Sequence, residues 1–115
     1  MVTDQPEKPD AVANQVLLEG QLLTPVDYRV TPGGRPLLML ELEHLSCHEQ
    51  PDSSLRLEVR LPVMALGALA EQCRTLTPGC RLQVTGRLNQ KRWVRDGTVR
   101  WGRLELLALE VRRID

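Results

Sequence analysis

A run of basic residues near the end of the chain carries the clearest chemical signal in the sequence. It holds two tryptophans, contains a single acid at Asp96, and its cations are Arg87, Lys91, Arg92, Arg95, Arg100 and Arg103. Guanidinium and ammonium groups bind phosphate oxygens, and the indoles of Trp93 and Trp101 offer flat faces for stacking. A local basic stripe on a chain of zero formal net charge is typical of a phosphate-binding surface. The alternative is a hairpin tip whose charge only keeps it in solution.

The charge is divided unevenly along the chain. Residues 1–58 contain four basic and ten acidic residues, whereas residues 59–115 contain eleven basic and five acidic residues. A polyanionic partner is therefore expected to bind the second half of the chain.

A second group of potentially reactive residues is His44, Cys47 and His48. They are close enough in sequence to suggest a zinc site, but such a site needs about four ligands, usually including a second close pair. Cys73 and Cys80 form no such pair. We therefore expect three free thiols, small and buried, and surface imidazoles, with no metal and no cofactor.

Length and composition favour one domain with an aliphatic core. The chain has 115 residues, 42% of them hydrophobic, and no phenylalanine. No apolar run approaches the roughly 20 residues that span a bilayer, so we expect no membrane contact. Residues 1–13 are polar and do not have the pattern of a signal peptide, which predicts a disordered leader before a domain at 14–115, in the cytoplasm.

Hydrophobic periodicity predicts strands through the first half of the domain. Alternation predicts a first strand from Val16 past Pro25 to Val30, a second over residues 38–44 and a third over 55–63. Gly20 suggests a bend or bulge that lets a small sheet curl. The apolar residues of the third strand are expected to face the core: Leu55, Leu57, Val59, Leu61 and Val63.

The period then becomes helical from Leu66 to Leu76, which predicts a short helix that ends at Pro78-Gly79. A fourth strand over residues 82–88, with Leu88 facing inward, precedes a basic loop around Asp96-Gly97. A last strand runs from about residue 99 to 114, where broken alternation predicts a bulge. Three strands, a helix and two strands are the order of the OB-fold, an all-β, five-stranded Greek-key barrel with one short helix. A split sheet with one covering helix gives the same order.

Several segments resemble the bacterial single-stranded-DNA-binding proteins. The opening of that family is similar to Asn14-x-Val16-x-Leu18-x-Gly20-x-Leu22, followed by Pro25, Tyr28-Arg29 and Pro32-x-Gly34. Its replication-restart branch, the primosomal replication protein N (PriB) group, is similar to Pro36, Leu42-Glu43-His44-x-Ser46, Leu61-Pro62-Val63 and Gly79-x-Arg81-x-x-Val84-x-Gly86. The resemblance covers about residues 14–114 and, like the periodicity, favours the OB-fold.

This resemblance implies a homodimer that binds single-stranded DNA without catalysis and contacts the restart helicase PriA and, in some bacteria, DnaT. It also implies that the hairpin between the fourth and fifth predicted strands holds the DNA. Carried over by position, the DNA-contacting cations are Arg29, Lys91, Arg92, Arg95 and Arg100. Trp93 and Trp101 lie among them and are expected to stack on bases; the alternatives are an exposed loop residue for Trp93 and a core or dimer-interface ring for Trp101.

The chain departs from the family on the sheet face. Residues 53–59 contain no aromatic residue where the family can place one, and Leu45 stands where a basic residue can follow the Glu-His pair. Because base stacking contributes about 1–3 kcal/mol per base, this loss is expected to weaken DNA binding considerably.

Three other functions stay open at this point. A general single-stranded-DNA-binding protein usually carries a long flexible tail with an acidic tip, whereas this chain stops just after its last predicted strand. A protein-interaction barrel has the same fold without binding DNA. An enzyme is disfavoured because neither a paired nucleophile nor a glycine-rich phosphate loop accompanies the acid–base candidates Glu43, His44, His48 and Glu49.

Overall fold

A computed structural model describes residues 12–115, most of which belong to one curved sheet. Its elements are β1 (Val16–Leu22), β2 (Asp27–Val30), β3 (Pro36–Gln50), β4 (Ser53–Leu66), α1 (Ala68–Cys73), β5 (Arg81–Arg95) and β6 (Thr98–Arg113). The predicted leader lies outside the described residues except for positions 12 and 13. Its disorder stays a prediction.

The sheet closes into a barrel because β1 has two neighbours. The strand order is β1-β5-β6-β4-β3-β2, with an additional pairing between β1 and β3. β1 pairs with β5 as far as Gln21 opposite Arg81, and with β3 at Leu22 opposite Leu42. β2 continues along β3, so β1 and β2 act as one bent strand of a closed five-stranded barrel. The fold is the predicted OB-fold.

Two glycines allow strands to approach each other where the barrel closes. A Cβ atom on Gly20 would lie 2.4 Å from the carbonyl oxygen of Glu43, and one on Gly86 would lie 2.3 Å from that of Leu107. The pairing of β1 with β5 runs without a shift through Gly20. This glycine therefore permits a close backbone approach rather than the predicted bulge.

The core is aliphatic, as the composition predicts. Its largest fully buried side chains are Leu22, Leu38, Leu42, Leu82, Leu106, Val63 and Val84. Four side chains predicted to face the core are exposed instead: Leu55, Leu57, Val59 and Leu88. Alternation placed them on the correct face of the strand, but their strands continue past the part of the barrel that other elements cover.

These continuations form two arms. β3 and β4 stay paired out to Gln50 opposite Ser53, and β5 and β6 out to Arg95 opposite Thr98. We call residues 44–59 the first arm and residues 88–104 the second arm. β4 and β6 are parallel and pair only around Val63 and Leu106, so both arms leave the same end of the barrel.

The connections between strands are shorter than the sequence predicts. The predicted basic loop is a two-residue turn with positive φ at Asp96 (50°) and Gly97 (74°), as type I′ hairpins require. The connection between the second and third predicted strands, residues 45–54 by the periodicity, shrinks to a turn at residues 51–52. The basic residues therefore lie on paired strands, which determine the direction of each side chain.

The bulge predicted in the last strand is confirmed. Thr85 pairs with Glu110 and Gly86 pairs with Ala108, which leaves Leu109 as the extra residue. A second register shift separates Gln90 from Arg92, within the second arm.

The helix is shorter than predicted and packs against β3, β4 and β6. Leu66 still belongs to β4, and Gly67 turns the chain with a φ of 60° before α1 begins. The Tyr28 hydroxyl donates a hydrogen bond to the Glu71 carboxylate, and the Arg74 guanidinium lies 4.1 Å from the centre of the Tyr28 ring. This hydrogen bond, with help from Arg74, lowers the pKa of Glu71. No helix within residues 12–115 has the length and apolar character needed to cross a membrane.

Gly20→Ala should destabilise the protein by about 2 kcal/mol or more, because the new methyl group must push β1 away from β3. Urea unfolding followed by circular dichroism measures the change. Gly33→Ala is the matched control, since its Cβ would meet nothing closer than 3.9 Å. Equal stabilities for the two variants would show that the close approach at Gly20 does not limit folding.

Candidate nucleic-acid interface

Strand pairing divides the predicted site residues between the two faces of the second arm. Residues directly opposite each other share a face, as do alternate residues along a strand. Trp93 lies opposite Arg100, so one face carries Lys91, Trp93, Arg95 and Arg100. Arg92 lies opposite Trp101 on the reverse face. Each face thus combines an indole with at least one cation.

The face that carries Trp93 meets the barrel in a groove. The groove is lined by Lys91, Trp93, Arg103 and Glu105 from the hairpin and by Met39, Glu41 and Pro62 from β3 and β4. The last three residues also line an adjoining depression with Thr24, Pro25 and Asp27. We call this continuous path the outer groove, and it crosses the sheet from the second arm to the bend between β1 and β2.

A glycine makes room for the Trp93 ring. A Cβ atom on Gly102 would lie 2.9 Å from Cζ3 of Trp93 and 3.3 Å from Cβ of Lys91. The ring therefore packs across the bare backbone of β6. Trp93 is still 48% exposed and Trp101 is 61% exposed, so both rings have surface available for stacking.

Four cations of the second arm form no ion pair within the described residues, whereas Arg103 of the same arm is paired with Glu41. Within residues 12–115, ion pairs join Arg29–Asp27, Arg56–Glu58, Arg60–Glu43, Arg74–Glu71, Arg103–Glu41 and Arg113–Asp115. Lys91, Arg92, Arg95 and Arg100 take part in none of these pairs. A phosphate can therefore bind these four cations without displacing a carboxylate, which gives the second arm the most available positive charge.

Arg29 does not join this cluster. It lies on β2 opposite Leu37, with its guanidinium 3.0 Å from the Asp27 carboxylate. β3 and β4 separate β2 from the hairpin in the sheet order. Arg29 shares the outer face of β2 with Asp27, at the far end of the outer groove.

Sequence reasoning missed the part of the groove that the barrel supplies. Met39 and Glu41 occupy outward positions of a strand with alternating hydrophobicity. The sequence therefore indicates the face on which they lie, but not that they approach the hairpin. Arg103 belonged to the basic run without being assigned to the site, and it lies 2.8 Å from the Glu41 carboxylate across the groove. The barrel thus contributes apolar surface from Met39 and Pro62 to the groove.

The histidines and cysteines do not assemble a metal site. No group of three or more potential ligands among residues 12–115 is arranged to hold a metal ion. His44 Nδ1 donates a hydrogen bond to the carbonyl oxygen of Glu19, and Nε2 accepts one from the Ser46 hydroxyl, both at 2.7 Å. Both ring nitrogens of His44 are therefore occupied by hydrogen bonds within the protein.

All three thiols are free, as predicted, but one of them is not buried. Cys73 and Cys80 are buried, whereas Cys47 is exposed because it lies on the outer face of the first arm. Burial raises the pKa of the Cys73 thiol.

Comparison with known proteins agrees with the OB barrel. Residues 14–99 match a family described as "another single-strand binding protein family". The chain belongs to this family of single-strand binding proteins. A search of curated proteins found no match.

Solved structures of single-stranded DNA-binding proteins share the fold. The small single-stranded DNA-binding protein from Streptomyces coelicolor is 19% identical, with a TM-score of 0.69 over 90% of this chain and 96% of that one. The wild-type single-stranded DNA binding protein from Thermus aquaticus is 28% identical, with a TM-score of 0.76 over 90% of this chain and 50% of that one. A deletion mutant of the Thermus protein gives a TM-score of 0.77 at the same identity. The present chain therefore spans about half the length of the Thermus protein.

Proposed function

We propose that this protein binds single-stranded DNA without catalysing a reaction, and that the second arm makes the main contacts. The observation that carries the proposal is a group of four cations, without acidic partners among residues 12–115, beside two exposed indoles on one hairpin. Family membership supports a single-strand binding role. The names of the related Thermus and Streptomyces proteins support DNA as the ligand.

The arrangement favours binding that tolerates many sequences. Phosphates contact Lys91, Arg95 and Arg100 on one face and Arg92 on the other, while bases stack on Trp93 and Trp101. Every base has a flat face, so stacking adds about 1–3 kcal/mol per base without strong selectivity. Phosphate contacts release counterions, so the affinity should fall steeply as salt is added.

Replacing Lys91, Arg95 and Arg100 together with Ala should weaken single-stranded DNA binding by about tenfold or more at low salt, because three phosphate contacts are lost. The slope of log affinity against log salt should become shallower by about 2, at roughly 0.7 for each phosphate. Fluorescence anisotropy of a labelled oligonucleotide at several salt concentrations measures both quantities.

The matched control replaces Arg56, Arg60 and Arg113 with Ala. It removes the same charge from exposed arginines that already have carboxylate partners. Affinity and salt slope should change much less in this control. If both triple variants lose the same affinity, net charge rather than the second arm governs binding.

We also propose that two copies associate about a two-fold axis. The support is an apolar patch on the outer face of the barrel, where Leu17 lies opposite Thr85 and the bulged Leu109 lines a depression with Thr85. Leu17 is 64% exposed and Leu109 is 55% exposed. Leu37 and Met39, two outward apolar residues of β3, are partly buried, and Met39 lines the outer groove.

Leu17→Asp should therefore convert a dimer into a monomer, because a charge would be buried in a symmetric contact. Light scattering at micromolar concentration gives the mass. Leu66→Asp is the control, since Leu66 is 47% exposed elsewhere on the molecule and should leave the dimer intact. A wild-type protein that is already monomeric would refute the dimer.

We propose, more specifically, that the protein acts in replication restart and bridges DNA and a PriA-type helicase, with DnaT as a further partner. The support is the resemblance of residues 42–46, 61–63 and 79–86 to the PriB group. A DNA site in which two indoles supply the base stacking also favours such a role. A weak DNA contact gains from a second contact on the helicase, because the first binding event raises the effective concentration for the other. Such a role places the protein in the cytoplasm.

The helicase from the same organism and this protein together should bind forked DNA more tightly than either protein does alone. Arg92→Ala should reduce that gain, whereas Arg56→Ala should leave it unchanged. Gel-shift titration on a fork measures the three combinations. Identical fork binding by the helicase with and without this protein would leave the general single-stranded-DNA-binding function as the better account.

A further inference from the structure

One carboxylate oxygen in the outer groove has no hydrogen-bond partner. Glu105 is only 3% exposed, and its Oε1 accepts a hydrogen bond from the Asn89 side chain at 3.0 Å. Its Oε2 is buried and receives no hydrogen bond within the part of the chain that the structure describes. A buried acceptor without a donor is costly, and such groups in native proteins call for a specific explanation.

The surroundings of Glu105 point to a ligand with both a flat face and a donor. Glu105 lines the outer groove together with Lys91, Trp93 and Arg103. The Arg103 guanidinium is already bound to Glu41. The half-exposed Trp93 ring offers a stacking surface in the same groove. The buried Oε2 becomes accessible to a ligand in this groove when the groups that cover it move.

We propose that Glu105 Oε2 accepts a hydrogen bond from the exocyclic amino group of a nucleobase that stacks on Trp93. This inference rests on the proposed DNA-binding function and adds a base preference to it. Cytosine, adenine and guanine carry such an amino group, and a carboxylate is a suitable acceptor for it. Thymine has no amino group, and its single imide N–H is flanked by two carbonyl oxygens that face the carboxylate unfavourably.

Lys91 is the competing donor within the protein. Its side chain lines the same groove and is exposed, so its ammonium group can approach Oε2 when a neighbouring side chain moves. If Lys91 satisfied Glu105, the identity of the base would not affect binding. The two possibilities therefore predict different dependence on base chemistry.

The experiment compares single strands of equal length made of cytosine, thymine or 2-pyrimidinone nucleotides. 2-Pyrimidinone is cytosine without its amino group, so the pair differs only in the proposed donor. The wild-type protein should bind the cytosine strand about tenfold more tightly than the 2-pyrimidinone strand, which is the range of one hydrogen bond to a charged group.

Glu105→Gln should lower the cytosine-to-thymine affinity ratio by about tenfold. The amide oxygen would keep the bond from Asn89 and present its NH₂ group to the base, which favours the O4 atom of thymine. Glu110→Gln is the control, because Glu110 is exposed on the same strand and the charge change is identical. That control should leave the ratio unchanged, although both variants can bind every strand more tightly.

Equal affinities of the wild-type protein for the cytosine and 2-pyrimidinone strands would overturn the base contact. A cytosine-to-thymine affinity ratio of the Glu105→Gln variant that matches the wild-type ratio would also overturn the base contact. If Glu105→Gln does not fold, as judged by thermal melting, the comparison of the two ligands on the wild-type protein decides alone. Binding of no strand at all would refute the proposed DNA-binding function, whereas binding without discrimination would refute only the role of Glu105.

Discussion

The arrangement of this protein depends on one change of partner, where β1 leaves β5 and pairs with β3. The change needs backbones to approach so closely that a side chain at Gly20 has no space. The closed barrel includes only part of each of the hairpins β3–β4 and β5–β6. The remaining part of each hairpin extends from the barrel as an arm. Because β4 and β6 are parallel, both arms leave one end of the barrel, and the second arm borders the outer groove.

The barrel and the second arm differ in their electrostatics. Ion pairs on β2, on β4, across the groove and at the end of β6 engage many of the arginines. The chain has no formal net charge, because its 15 basic residues are balanced by 15 acidic residues. The turn at Asp96-Gly97 keeps Lys91, Arg92, Arg95 and Arg100, which form no ion pair within residues 12–115, on paired strands. A neutral protein can bind a polyanion in this way, because the local density of available cations determines phosphate binding more than the total charge.

The sequence predicted the elements that depend on neighbouring residues and missed those that depend on distant ones. Period-two alternation predicted the OB order, and the irregular last strand predicted a bulge, which the structure places at Leu109. Asp96-Gly97 indicated a connection at the correct place, but a loop rather than the two-residue turn. Alternation reports the face of Leu55 or Leu57, but it does not report whether another element covers that face. The outer groove brings Met39 and Pro62 together with Glu105, although these residues are distant in sequence. No local pattern therefore predicts the groove or the burial of the Glu105 oxygen. The division of Lys91 and Arg92 between two faces likewise follows from pairing rather than composition.

Amide chemical-shift mapping by NMR during titration with single-stranded DNA tests the central claim most directly, because it locates the contact without any substitution. The account predicts that the largest changes fall on residues 88–104, with smaller changes at Met39 and Glu41 in the outer groove. Large changes confined to the face of β1 and α1, with the second arm unaffected, would contradict it.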